Sequence, residues 1–161
     1  MKRVLFIDVR NATRSQIAEA WFNHLARGWG QAQSCGTMPA NAIDPRAVLA
    51  MSEVGVDIRR RAPKPISQQL LGQARIVVLM GKDIHPRAFS PTYVWNFKDL
   101  TGKPMEEMRW LRDQIREHVQ ELIEEMQLEE LDQISTEPEW QSLMHIVLSS
   151  QLRLNRLGSR A

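Results

Sequence analysis

Apolar positions along the chain fall into two periods. "RVLFI" (3–7) and "ARIVVLM" (74–80) are unbroken apolar runs rich in β-branched residues. Runs of that kind predict strands buried on both faces, as in a parallel sheet. "QAQSCGT" (31–37) and "TYVWNF" (92–97) are two further strand candidates. Between them the spacing turns helical. Ile17, Ala20, Trp21 and Leu25 mark a helix over 13–27, closed by Gly28. Asp44 as N-cap and Pro45 at the first helical position open a helix over 44–55, with Ala47, Val48, Met51 and Val54 as its apolar face. "SQQLLGQ" (67–73) reads as a short helix, preceded by the basic, proline-broken loop "RRRAPKP" (59–65). Met108, Leu111, Ile115, Leu122 and Met126 stripe a long helix from about Pro104 to Met126. "STEPEW" (135–140) breaks the pattern, and Trp140, Leu143, Met144, Val147 and Leu148 resume it as a C-terminal helix.

Strands alternating with helices predict an α/β fold with a parallel sheet covered on both faces. The crossovers in such a sheet are right-handed. The 161 residues suit one domain over 1–127 with a helical extension over 128–161. No apolar run approaches the roughly 20 residues a membrane span needs. The short basic start lacks a signal-peptide pattern, so a cytoplasmic protein is expected. Cys35 is the single cysteine, which excludes an internal disulfide and a thiol-only metal cage.

Charge is uneven along the chain. Residues 1–116 hold 18 Lys and Arg against 10 Asp and Glu, whereas 117–161 hold 3 against 9. The acidic residues suit the solvent face of a helix. The basic half has no recognisable DNA or RNA motif, so no nucleic-acid partner is expected. His24, His85, His118 and His145 have no metal-like spacing with one another or with Cys35, and no metal or cofactor is expected.

Chemistry concentrates after the first strand. Ligands bind beyond the carboxyl ends of parallel strands, and the loop Asp8, Val9, Arg10, Asn11, Ala12, Thr13, Arg14, Ser15 lies there. A tight turn into a helix aims successive N–H groups at one spot, and the helix N-terminus adds partial positive charge. Arg14 supplies a planar fork for two oxyanion oxygens. Asn11 and Ser15 suit side-chain bonds that hold the loop in shape. A plain strand-to-helix turn is the bland alternative.

The stretch "LFIDVRNATRSQIAEA" (5–20) resembles the phosphate loop of the low-molecular-weight protein tyrosine phosphatases and their thioredoxin-coupled arsenate reductase relatives, C-x-G-N-x-C-R-S followed by Q-x-A-E. Asn11, Arg14, Ser15, Gln16, Ala18 and Glu19 match. "SCGT" (34–37) is similar to the family's S-A-G-T, and "DPRAVLAMSEVGVDI" (44–58) and "WNFKDLTGKPMEEMRWLRDQIREHVQELI" (95–123) also follow its pattern. The resemblance covers about residues 3–126. It implies a four-stranded parallel sheet in the order 2-1-3-4. It also implies a monovalent-cation site whose ligands map onto Asn11, Glu19 and Ser34.

Departures fall on the reactive groups. Asp8 holds the place of the family's nucleophilic cysteine, Arg10 that of a glycine and Thr13 that of the second loop cysteine. "VLMGKDIHPRAF" (78–89) has no cysteine where the reductases carry a resolving pair. Asp99 falls at the general-acid aspartate but is followed by Leu100 in place of proline. Cys35 falls on the family's alanine and reads as a small buried residue. The family's chemistry needs a thiolate poised by the loop. Asp8 can form neither a thiophosphate nor a disulfide, so both family routes are excluded.

Three readings of Asp8 follow. Its carboxylate fills the anion nest and pairs with Arg14, with the loop's donors lowering its pKa. Two like charges ~4 Å apart repel by about 4 kcal/mol at an effective dielectric of ~20, roughly a thousandfold in affinity, which Arg10 offsets in part. Alternatively Asp8 is an aspartyl nucleophile, with Arg14 binding phosphate and Asp99 as acid. Against this, the second Asp of a D-x-D loop is missing. The third reading, a knocked-out enzyme, conflicts with the simultaneous changes at 10, 13 and 80. The expected function is a non-catalytic family member that binds an oxyanion, a phosphorylated group or a protein partner at the 8–15 loop. Arg59, Arg60 and Arg61 are candidates for the mouth of the pocket. The C-terminal stripe, with Leu152, Leu154 and Leu157, suits a homodimer contact or packing back on the domain.

Overall fold

The computed structural model describes residues 2–85, 89–100 and 102–136, with Met144 beyond them. The apolar stripe expected over 140–148 and the leucines at 152, 154 and 157 otherwise lie outside the described residues. Among the described residues, four strands and four helices follow one another: β1 (Lys2–Asp8), α1 (Arg14–Leu25), β2 (Gly30–Gly36), α2 (Pro45–Ser52), α3 (Gln68–Gln73), β3 (Ile76–Met80), β4 (Tyr93–Trp95) and α4 (Met105–Thr136). All pairings are parallel, in the order β2-β1-β3-β4. β1 and β3 are central and buried on both faces, hence their unbroken apolar runs.

The pleat divides β1 between two cores. Leu5 and Ile7 cluster with Cys35, Val77, Leu79 and Ile84, and α3 contributes Leu70 and Leu71. Phe6 points the other way, with its ring against Phe22 of α1 and Trp95 of β4. Trp95 and Phe97 both meet His118 of α4 edge to face. Trp21 Nε1 donates to the Arg112 carbonyl at 3.1 Å, joining α1 to α4. Phe6 and Phe22 are fully buried, which contributes about 1.5–3 kcal/mol each.

Local signals explain most boundaries. Asp44 accepts from Arg46 N at 2.9 Å and Pro45 occupies the first turn of α2. Ser67 caps α3 by accepting from Leu70 N at 3.2 Å. α2 ends at Ser52, earlier than expected, so Val54 lies beyond it and is partly exposed. β4 has three residues, not six.

Two compact units divide the chain, one ending at Glu121 and the other starting at Leu122. α4 runs ten residues past the expected end at Met126, to Thr136. In the second unit Leu122, Ile123 and Met126 are buried, whereas Leu128, Leu131 and Ile134 are exposed. No helix among the described residues is long and apolar enough to cross a membrane.

Candidate anion site

β1 delivers Asp8 to its carboxyl end, and the next five residues form a loop that enters α1 at Arg14. The loop is tied from behind by backbone bonds. Thr37 N donates to Asp8 O, Met38 N to Val9 O, Ala40 N to Arg10 O and Asp44 N to Ala12 O, at 2.8–3.1 Å. Gly36 makes this approach possible, because a Cβ there would lie 2.6 Å from the Val9 carbonyl.

Asn11 is the hub. It adopts φ 49°, the left-handed conformation that Asn tolerates better than most residues. Its Nδ2 donates to Ser15 Oγ at 2.9 Å and to Ser34 Oγ at 2.8 Å. Its Oδ1 accepts from Lys64 N at 2.8 Å and Gln16 Nε2 at 3.1 Å. Ser34 Oγ donates in turn to Glu19 at 2.5 Å. The three residues matched to a monovalent-cation site, Asn11, Glu19 and Ser34, are therefore brought together. The cations beside Glu19 are the protein's own: Arg61 at 3.1 Å and Lys64 at 3.6 Å. Among the described residues no group of three or more His, Cys, Asp or Glu is placed to hold a metal ion.

Asp8 is 3% exposed and its carboxylate turns into the loop. Oδ1 accepts from Asn11 N at 2.5 Å and Oδ2 from Ser15 N at 3.1 Å. These are donors of the kind that an anion nest offers its ligand. Burial raises the Asp8 pKa from 3.8, and the amides of Ser15 and Asn11 and the charge of Arg14 oppose that rise without cancelling it. The expected lowering is thus overturned by desolvation.

The pairing of Asp8 with Arg14 is also corrected. The Arg14 guanidinium is buried, but its Nη1 donates to the Phe97 carbonyl at 2.8 Å and its Nη2 reaches Asp83 Oδ2 at 3.2 Å. Gly81 leaves room for it, since a Cβ there would stand 2.5 Å from Nη1. Asp83 and the Phe97 carbonyl are site members that sequence reading missed. Neither carries a motif, and both come from segments far along the chain.

Above the loop lies a cavity of about 280 Å³. Asp8, Arg10, Thr13 and Arg14 line it from the loop, Asp44 and Arg46 from the start of α2, and Asp99 completes it. The expected acid position is therefore in the same cavity as Asp8 and Arg14. The arginines at 59–61 do not line it: Arg59 pairs with Asp57 and Arg61 with Glu19. Cys35 lies fully buried on β2 beside Ile7. Burial first, then the Asp8 charge, pushes its thiol up to about 12. No reactive thiolate is available at the site.

Residues 3–133 match the family described as low molecular weight phosphotyrosine protein phosphatase. Arsenate reductase 2 of Staphylococcus epidermidis is 35% identical over 121 residues, covering 71% of this chain and 91% of that protein. An arsenate reductase of Staphylococcus aureus is 32% identical over 120 residues, with the same coverages. Among solved structures, an arsenate reductase in the phosphate binding state superposes with a TM-score of 0.71 at 31% identity, over 78% of this chain and 98% of the other. A low molecular weight protein tyrosine phosphatase from T. tengcongensis shares the fold at TM-score 0.69 and 24% identity, over 78% and 99%.

Proposed function

Since the chain belongs to the low-molecular-weight phosphotyrosine protein phosphatase family, we propose that it is a non-catalytic member that binds an oxyanion or a phosphorylated group in the cavity over residues 8–15. The observation that carries this is Asp8. It holds the position matched to the nucleophilic thiol, and both its oxygens are engaged by Asn11 N and Ser15 N. The chain's one thiol, Cys35, is buried and held neutral by its high pKa. The cavity supports binding, with Arg10, Arg14 and Arg46 on its wall. A cytoplasmic location is part of the same proposal. The exposed Leu128, Leu131 and Ile134 of α4 support a contact with a protein partner or a second copy.

One observation favours a second reading. Asp99 shares the cavity with Asp8 and Arg14, the arrangement that an aspartate-based phosphate-ester hydrolase would use. The test is aryl phosphate hydrolysis by wild type, Asp8→Asn and Asp8→Cys, with and without magnesium. The non-catalytic reading expects no turnover by wild type. Wild-type turnover abolished in Asp8→Asn would overturn it and make Asp8 a nucleophile. Turnover gained in Asp8→Cys would support a binding pocket still formed for phosphate.

A further inference from the structure

Asp8 lines the cavity while two amides hold its oxygens in place. Each carboxylate oxygen has acceptor capacity for a second bond, and an ionised carboxylate donates none. While Asp8 is ionised, a tetrahedral oxyanion seated on the loop therefore meets an acceptor, not a donor. Two anionic oxygens cannot satisfy each other unless a proton lies between them. An oxyanion with an acidic O–H supplies that proton and donates it to Asp8. An oxyanion without one leaves two like charges facing, or forces Asp8 to take a proton from solvent.

Resting on the reading of the 8–15 loop as an anion site, we infer that Asp8 sets which oxyanion the cavity accepts, favouring a phosphomonoester that carries its own P–OH over a sulfate ester that has none. Sites built to pair with a substrate O–H reject analogues lacking it, because a buried polar group is left unpaired. The surroundings of Asp8 leave this role to it. Arg14 of α1 is latched to Asp83 and the Phe97 carbonyl. Arg10 stands on the loop, Asp44 and Arg46 at the start of α2, and Asp99 across the cavity. Behind Asp8, Cys35 of β2 is a neutral thiol. The raised proton affinity that burial gives Asp8 agrees with its sharing a proton.

The proton count defines the test. A phosphomonoester keeps one acidic proton up to about pH 6, whereas a sulfate ester stays a bare monoanion. Phenyl phosphate and phenyl sulfate are titrated calorimetrically into the full chain at about pH 6 and about pH 7, in buffers of different ionisation heat. Phenyl phosphate is expected to bind at least about tenfold more tightly at pH 6. Any binding of phenyl sulfate is expected to take up protons, at least as many at pH 7 as at pH 6, because Asp8 is the more ionised at the higher pH. In Asp8→Asn the preference falls to within about threefold and proton uptake disappears. The wild-type proton count needs no variant, so a misfolded Asp8→Asn does not spoil the test. Equal binding of both esters by wild type without proton uptake would overturn the inference and leave the anion-site reading intact. Binding of either ester only after Asp8 is replaced would make Asp8 a plug, and would overturn both the inference and anion binding by the wild-type chain. Binding by neither wild type nor Asp8→Asn would overturn the anion-site reading as well.

Discussion

Replacing Asn11 by alanine tests whether the loop is held by its own side chains. Asn11 is fully buried and makes four side-chain hydrogen bonds. Alanine leaves Lys64 N without its acceptor, at about 1–2 kcal/mol, and removes a donor from each of Ser15 Oγ and Ser34 Oγ, at about 1 kcal/mol apiece. Gln16 Nε2 keeps the carbonyls of Asn11 and Ala62, so its loss is small. The φ of 49° adds about 1 kcal/mol for a residue with a plain Cβ. The sum is about 4 kcal/mol, a large share of a typical domain's 5–15 kcal/mol. In urea the unfolding midpoint should fall by about 2 M. Asn11→Gly separates the two contributions, since glycine adopts this φ freely, and should lose about 1 kcal/mol less than Asn11→Ala. An Asn11→Ala midpoint equivalent to within about 0.5 kcal/mol of wild type, or a glycine variant no better than alanine, would refute this account.

Further outcomes follow from neighbouring groups. Gly81→Ala places a Cβ against Arg14 at a φ of 137°, and should cost about 1–3 kcal/mol in urea unfolding and weaken phenyl phosphate binding. Cys35, with its thiol near 12, should resist a disulfide reagent at about pH 8 in the native protein and react once urea unfolds it; rapid native labelling would contradict its burial. Asp8 has a folded pKa above its unfolded value of 3.8, so its contribution to stability is present at low pH and is lost as pH rises through the folded pKa. Wild type should therefore lose stability relative to Asp8→Asn as pH rises above the unfolded value of 3.8, and a difference that moves the other way would mean that the amides outweigh burial.

The sheet was legible because its two central strands are apolar without interruption, and the caps of α2 and α3 were legible because Asp44, Pro45 and Ser67 act within one turn. The length of α4 was not. At 100° per residue, Leu128 and Leu131 lie roughly 160° and 140° around the helix from Met126, where the buried stripe ends, and Ile134 about 80°, so the apolar pattern lapses where the backbone does not. The part of Asn11 and Ser15 in holding the loop was readable, because their bonds follow from their side chains. The destination of Arg14 was not readable, since Asp83 and Phe97 lie 69 and 83 residues away and only the fold brings them near. The direction of the Asp8 shift depends on burial against amide donors, a balance that needs coordinates.

The backbone bonds that run from Thr37, Met38, Ala40 and Asp44 to the carbonyls of residues 8–12 have a kinetic consequence. They tie the loop to the segment that follows β2, so its shape is set by the folded chain itself. If the cavity takes an anion as proposed, binding should order no backbone, so its rate should be set by diffusion and water exchange and its heat-capacity change should be small.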